Sequence, residues 1–303
     1  MAETNTRVLP YGSAAIAEAA AVIAAGGCVA VPTETVYGLA ADATDAAAVA
    51  GIYAAKGRPS FNPLIVHVTD LAAAEAIAVF DDGAKALAAR YWPGPLTLVL
   101  PVRPRAVASL VTAGLDTVAV RVPAHRAMAA LLRATGMPLA APSANASGGI
   151  SPTRAAHVVA SLGGRIALVL DDGPTAAGIE STIADPAEST ILRPGPVELA
   201  GYAAYHGDAI TAPGQLTSHY APAKPLRLNA TAAQPGEWLI GFGTIAGDAT
   251  LSASGDPVEA AARLFDELHR ADASDRAAIA VAPIPDTGIG IAINDRLRRA
   301  AVR

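Results

Sequence analysis

The 303-residue chain has a single cysteine, Cys28, only two tryptophans and four phenylalanines, and charged residues make up just 16% of it. One thiol excludes a disulfide framework and any paired-cysteine zinc or redox centre. Lysine is scarce as well: it stands at positions 56, 85 and 224, against 19 arginines. Where arginine is the default cation, a lysine stands out as a group kept for its own chemistry. The net charge of −5 speaks against a dedicated nucleic-acid binder, which carries a basic domain. No run approaches the ~20 strongly apolar residues of a membrane span. The most apolar window, 14–32, is alanine-rich and broken by Glu18 and the Gly26-Gly27 pair. The opening MAETNTRVLP lacks the basic-then-apolar pattern of a signal peptide. A soluble, cytoplasmic protein is expected. The P-loop, the GxSxG elbow, HExxH and the zinc-deaminase signature are all missing. GFGTIA (241–246) fits a dinucleotide fingerprint, but a loop follows where a helix is required, so a tight turn is expected there.

What is present is apolar. At 52% hydrophobic residues the chain is not disordered, and its length suits two domains with a sizeable core. Helical periodicity is read at 13–25, 46–56, 71–79, 83–91, 125–135 and in a helix after Thr153, taken as its cap. Strands are read at 28–32, 64–68, 96–100, 118–122, 138–143, 166–171, 181–185 and 189–193. Their irregular alternation predicts an α/β fold with a mixed, twisted sheet and flanking helices. Residues 203–226 carry little periodicity and three prolines, as a linker would. A small Rossmann-like βαβα unit is expected after it, with strands at 237–242 and 277–284 and helices at 257–270 and 292–301. The expected organisation is a first domain over 1–202, a linker over 203–235 and a small α/β domain over 236–303.

Five stretches carry polar side chains suited to an anionic ligand. PTETVYGLAAD (32–42) sets Thr33, Glu34, Thr35 and Tyr37 at a strand end, as a polar mouth or as an ordinary capped turn. KGRPSFNPLIVHV (56–68) places Lys56 and Arg58 at a helix end, Asn62 in a loop and His67 in a strand. The two cations suit a polyphosphate, or merely complement the helix C-terminus; His67 suits a site or a satisfied core position. APSANASGGISPT (141–153) offers Ser143, Asn145, Ser147 and Ser151 before a helix, a loop suited to an anion or a nucleotide. Ser181, Thr182 and Arg193 sit at the ends of two strands in GIESTIAD and ILRPGP. Arg121 lies in the apolar VAVRVP and needs a partner or a ligand. Hydroxyls, amides and cations of this kind stabilise phosphate charge and do not make a covalent nucleophile. Asp171-Asp172-Gly173 reads as a turn rather than a metal ligand.

Taken in order, PTETVYGL, KGRPxxNPLIVHV, APSAN…SP, ESTI and ILRPG resemble the threonylcarbamoyl-AMP synthase family, whose catalytic domain is YrdC-like. APGQLTSHYAP (212–222) and the tail resemble its two-domain form. The resemblance implies an enzyme that makes threonylcarbamoyl-adenylate and pyrophosphate from L-threonine, bicarbonate and ATP, with Mg²⁺ entering through ATP. The product would pass to a tRNA threonylcarbamoyl transferase. It implies Lys56, Arg58, Ser143 and Asn145 around the phosphates, and Arg58, Asn62, Thr117, Ser143, Ser151, Arg193 and Tyr220 as ATP contacts. Thr35, His67, Arg121, Ser181 and the backbone at Ala141 are similar to its threonine site, and His219–Pro222 to a strap closing over the site. Ser218 stands where other members often carry a basic residue, so no linker charge is implied there. No dedicated metal ligand and no membrane partner are expected. The alternatives are an RNA-binding YrdC-like module without nucleotidyl transfer, weak RNA binding being one expectation, and the related domain of hydrogenase-maturation carbamoyl transferases. The latter carry paired-cysteine zinc motifs, which the lone Cys28 excludes.

Overall fold

A computed structural model describes residues 5–207 and 209–302. Eleven strands form one sheet. They are β1 (Arg7–Pro10), β2 (Val29–Pro32), β3 (Tyr37–Asp42), β4 (Ile65–His67), β5 (Leu96–Pro101), β6 (Thr117–Arg121), β7 (Leu139–Ala140), β8 (Leu168–Asp171), β9 (Thr182–Asp185), β10 (Thr190–Arg193) and β11 (Ala203–Ala204). Their order, β1-β8-β2-β3-β7-β4-β6-β5-β9-β10-β11, mixes parallel and antiparallel pairs, the mixed sheet expected from sequence. β4 and β6 run parallel with His67 directly opposite Arg121. That register puts two of the candidate residues side by side at the ends of two central strands.

Helices cover both faces. They are α1 (Ser13–Ala24), α2 (Ala46–Lys56), α3 (Leu71–Glu75), α4 (Asp82–Tyr91), α5 (Ser109–Thr112), α6 (Arg126–Thr135) and α7 (Ala155–Leu162). Side chains of a strand alternate between faces, and β2 shows it. Ala30 joins the core under α2 and α7, whereas Val29 and Val31 join that under α1 and α6. Asp45 caps α2 by accepting from the Ala47 amide, and Gly57 ends it in the left-handed conformation. The expected Thr153 cap of α7 is not found. Arg154 occupies the cap position without a side-chain cap bond, and the Thr153 hydroxyl faces His157 Nδ1 at 3.4 Å instead. The 138–143 strand shortens to β7, although the Ala141 amide still donates to the Ile65 carbonyl (2.9 Å) and Ser143 forms an isolated bridge with Gly38. Residues 37–42, read as a turn or a mouth, continue as β3, paired with β2 and β7.

A second sheet is all parallel, ordered β12-β15-β13-β14. Its strands are β12 (Leu226–Arg227), β13 (Glu237–Gly241), β14 (Ala249–Thr250) and β15 (Ala278–Val281), packed with α8 (Pro257–Asp272) and α9 (Ile289–Ala301). GFGTIA makes a tight turn, with Phe242 and Ile245 exchanging backbone hydrogen bonds. The core of this second unit reaches into the first, since Val36, Ile150, Ile179 and Tyr220 pack with Phe265, Leu268 and Ile293. Gly178 marks the tightest approach. It is left-handed (φ 70°), and a Cβ there would lie 2.4 Å from the carbonyl oxygens of Ala261 and Ala262. Gly178→Ala should therefore cost at least ~2 kcal/mol, read as a lowered urea midpoint. An unchanged midpoint would mean the two units do not pack this closely.

Candidate active site at the ends of the central strands

Strand ends and two loops converge on one cavity. Thr33 and Thr35 follow β2, His67 ends β4, Arg121 ends β6, Ala141 to Ser143 follow β7, Ser181 precedes β9 and Arg193 ends β10. Arg58 and Glu180 complete this wall, and Pro213, Gly214, His219 and Tyr220 lie across it as a strap. The free space left is about 40 Å³, far below the roughly 300 Å³ of the smallest ordinary ligand pockets.

Each buried cation is held by named acceptors. Arg121 donates to Thr35 Oγ1 (3.0 Å) and to the Gly94 carbonyl (3.1 Å), and its Nη2 lies 2.6 Å from Glu34 Oε1. That contact is an ion pair without hydrogen-bond alignment, so both groups keep unsatisfied atoms. Burial alone would raise the Glu34 carboxyl, but the Arg121 guanidinium together with nearby backbone amides outweighs it and leaves the group below its ordinary value. Arg121 thus has the partner its apolar strand called for. Arg58 donates to the carbonyls of Asn62 (3.1 Å) and Pro63 (2.8 Å); burial pulls its pKa down to about 10, so it stays charged near neutrality. Arg193 donates twice to the Ser181 carbonyl (3.1 and 3.0 Å) and once to its hydroxyl (3.2 Å). Ser181 is held in turn by Thr97 Oγ1 at 2.8 Å.

Not every candidate reaches the wall. Lys56 is buried beside the cavity, its ammonium donating to the carbonyls of Ser143 and Asn145, so it holds the loop instead of facing the free space. Burial and then Arg58 push its pKa well down. Asn62 is fully buried with both amide atoms unpartnered among the described residues, and Asn145 donates to the carbonyls of Ala146 and Gly149. Neither of them lines the cavity, nor does Ser151, whose hydroxyl donates to Glu180. Thr117 stands at the opposite end of β6 from Arg121, paired with Pro101. Glu180 and Arg296 are not among the site groups expected from sequence, and Glu34 is expected only as part of a polar mouth, without a role. Glu34 stands two residues after a strand and carries a local signal. Arg296 is 116 positions from its partner Glu180, and nothing beside it in the sequence points to the cavity.

Asp171-Asp172-Gly173 is a turn, with Asp171 accepting from the Gly173 amide and Asp172 paired to Arg126. No described helix is long and apolar enough to cross a membrane.

His67 is buried and neutral, its pKa pushed down to about 3 by burial and then by Arg121. In the unfolded chain it titrates near ~6.5. Between these values the unfolded state binds the extra proton, so stability falls as pH drops below ~6.5. One unit below, the loss from His67 is ~1.4 kcal/mol. Urea midpoints at pH 7.5 and 5.5 should show His67→Gln losing about that much less than the parent chain. Equal losses would mean that His67 is not held neutral.

The comparisons with known proteins agree with this layout. One family model, described as "Telomere recombination", matches residues 21–195, and another, "Threonylcarbamoyl-AMP synthase, C-terminal domain", matches 175–302. A threonylcarbamoyl-AMP synthase of Bacillus subtilis is 41% identical, over 94% of this chain and 92% of its own. One of Pyrococcus abyssi is 40% identical over 93% of each. The crystal structure of P. abyssi Sua5 complexed with L-threonine superposes with a TM-score of 0.90 at 36% identity, over 98% of both chains. From both ends of the sequence and across both sheets, the chain belongs to the threonylcarbamoyl-AMP synthase family.

Proposed function

We propose that the chain condenses L-threonine, bicarbonate and ATP into threonylcarbamoyl-adenylate and pyrophosphate. The observation that carries this is the cluster of Arg58, Arg121 and Arg193 around one cavity, each tied mainly to neutral carbonyls and hydroxyls. Such a cluster is suited to substrates that bring their own negative charge. Threonine's amine and bicarbonate give a carbamate, whose oxygen attacks the α-phosphorus in line with departing pyrophosphate. The amine proton and the oxygen lost as water leave in the first step, and the second breaks only the α–β phosphoanhydride. No protein nucleophile is needed; positioning and charge neutralisation carry the reaction.

In this reading Arg121, with Thr35, receives the threonine carboxylate, and Glu34 holds the guanidinium at Nη2. His67, Ser181 and the Ala141 backbone shape the rest of the threonine pocket. Arg58, Arg193 and Ser143 face the phosphates, with Asn145 and Lys56 holding the 141–147 loop and Asn62, Thr117, Ser151 and Tyr220 completing the nucleotide side. ATP enters as its Mg²⁺ complex. The carboxylate in the wall, Glu180, is engaged by Ser151 and Arg296, so the cation's ligands would come mostly from the triphosphate. The labile product would pass to an enzyme that modifies tRNA, and the domain boundaries read from sequence, 1–202, 203–235 and 236–303, are kept as part of this proposal.

Pyrophosphate release should require both L-threonine and bicarbonate. Equal release without threonine would sink the reading. Arg58→Ala removes a charge-assisted contact worth ~1.5–3 kcal/mol, a loss of roughly tenfold to a hundredfold in kcat/KM. Lys85→Ala, at an exposed pair with Glu75, should stay within about twofold of the parent. Comparable losses for the two variants would show that the phosphates bind elsewhere.

A further inference from the structure

In the parallel sheet of the second unit, the neighbouring strands β12 and β15 send the chain to opposite faces. Side chains alternate along β15. Ile279 and Val281 pack with Ile293 and Leu297 of α9, whereas Ala280 packs with Leu239 and Ala230 on the other face. β12 leads to Ala230, and β15 leads to α9. Where adjacent parallel strands part in this way, a crevice opens outside their carboxyl ends, which is where open α/β sheets bind ligands.

The second unit has such a crevice. It measures about 260 Å³ and lies between Leu228 and Asn229 after β12, Ile284 and Asp286 after β15, and Asn294 and Arg298 on α9. It shares no lining residue with the candidate active site. Its size is just under the ~300 Å³ at which ordinary ligand pockets begin, so it suits a small molecule. Asn229 is held at its rim in the left-handed region (φ 56°), strain of the kind that collects at ligand sites.

The charges narrow the ligand further. Asn294 Nδ2 donates to the Ile284 carbonyl and to Asp286 Oδ1, both at 3.1 Å. This fixes the carboxylate and leaves Asp286 Oδ2 and Asn294 Oδ1 free to accept among the described residues. Arg298 makes no hydrogen bond or ion pair among the described residues, although it lines the same crevice as Asp286. The helix dipole accounts for a cation in the last turn of α9. It does not account for a carboxylate and a guanidinium that share a cavity unpaired, a combination that a ligand carrying both charges would satisfy. The wall between them is aliphatic, from Leu228, Ile284 and Leu297.

We propose that this crevice binds a zwitterionic α-amino acid with a small aliphatic side chain, its carboxylate on Arg298 and its ammonium on Asp286. Asn294 Oδ1 accepts a further ammonium proton, and the side chain lies on the three aliphatic residues. The site does not rest on the adenylation reading.

The test titrates the full chain with L-valine and follows backbone amide NMR signals. Shifts are expected at 228–229, 282–286 and 294–298, while the signals of Thr35 and Arg121 report separately on the first cavity. Isovalerate, which lacks the ammonium, and isobutylamine, which lacks the carboxylate, should each bind roughly tenfold or more weaker than L-valine. Both charged residues are exposed, so their variants should fold. Arg298→Gln should weaken L-valine and isovalerate alike, by roughly tenfold or more. Asp286→Asn should weaken L-valine by a similar factor and leave isovalerate unchanged. No shift at these amides with about 10 mM L-valine, tenfold above a millimolar Kd, would overturn the proposal. So would isovalerate binding as tightly as L-valine, which marks a plain anion site, or parent affinity in both variants.

Discussion

Everything around the cavity follows from burying guanidinium groups with too few carboxylates to pair them. Arg58 and Arg193 rest on backbone carbonyls and a serine hydroxyl, Arg121 shares Glu34, and Arg296 shares Glu180. A charge leaving water costs several kcal/mol even after the protein relaxes, and hydrogen bonds must offset it. The chain therefore arranges its loops to aim carbonyls inward. The 58–63 loop turns back on Arg58, and Ser181 presents both its carbonyl and hydroxyl to Arg193. The same argument explains why the Lys56 ammonium is held by the carbonyls of the 141–147 loop. An ammonium is a compact, strongly hydrated charge, and two carbonyls at the loop crest replace its water.

The residues that could be read from sequence are those whose signal was local. Strand ends, the Asp45 and Gly57 stops of α2 and an arginine in an apolar strand all declare themselves within a few positions. A mixed sheet was readable from the irregular alternation of elements, but its order was not. β7 pairs with both β3 and β4, contacts set by residues about 70 to 100 positions apart. The site shows the same division. Arg58, His67, Arg121 and Arg193 were visible as cations or imidazoles in otherwise apolar or proline-bound surroundings. Arg296 looks like an ordinary surface residue in INDRLRRAA, because nothing nearby shows that its helix face is covered by the first unit. Thr153 misled for a related reason: a hydroxyl just ahead of a helix suits a cap, but a histidine one turn on competes for it.

The junction between the units is itself polar in a particular way. α7 and α8 meet through stacked His157 and His269, 3.8 Å between ring centres, with Asp266 bridging Arg154 and His157. Burial, then the neighbouring imidazole, pulls His157 down to about 4, so near neutral pH the two rings stack uncharged. His269 also faces the Ser151 carbonyl at 3.2 Å, and the Ser151 hydroxyl is bound to Glu180. The second unit therefore touches the cavity wall through two routes, α8 behind the 141–153 loop and α9 behind Glu180.

Tyr220 shows how finely the strap is balanced. Its backbone is left-handed (φ 63°), which for such a side chain costs on the order of 1–3 kcal/mol. Its hydroxyl is buried without a partner among the described residues, a further ~1–3 kcal/mol. Against these stand the burial of a ring at 1% exposure, worth roughly 4–6 kcal/mol for ~150–250 Å² at ~25 cal/mol per Å². Stacking on Phe265 at 5.6 Å adds ~0.5–1.5 kcal/mol. Gain and cost differ by only a few kcal/mol. The ring's burial against the second unit is therefore what holds Tyr220 in a backbone conformation that it would not otherwise adopt.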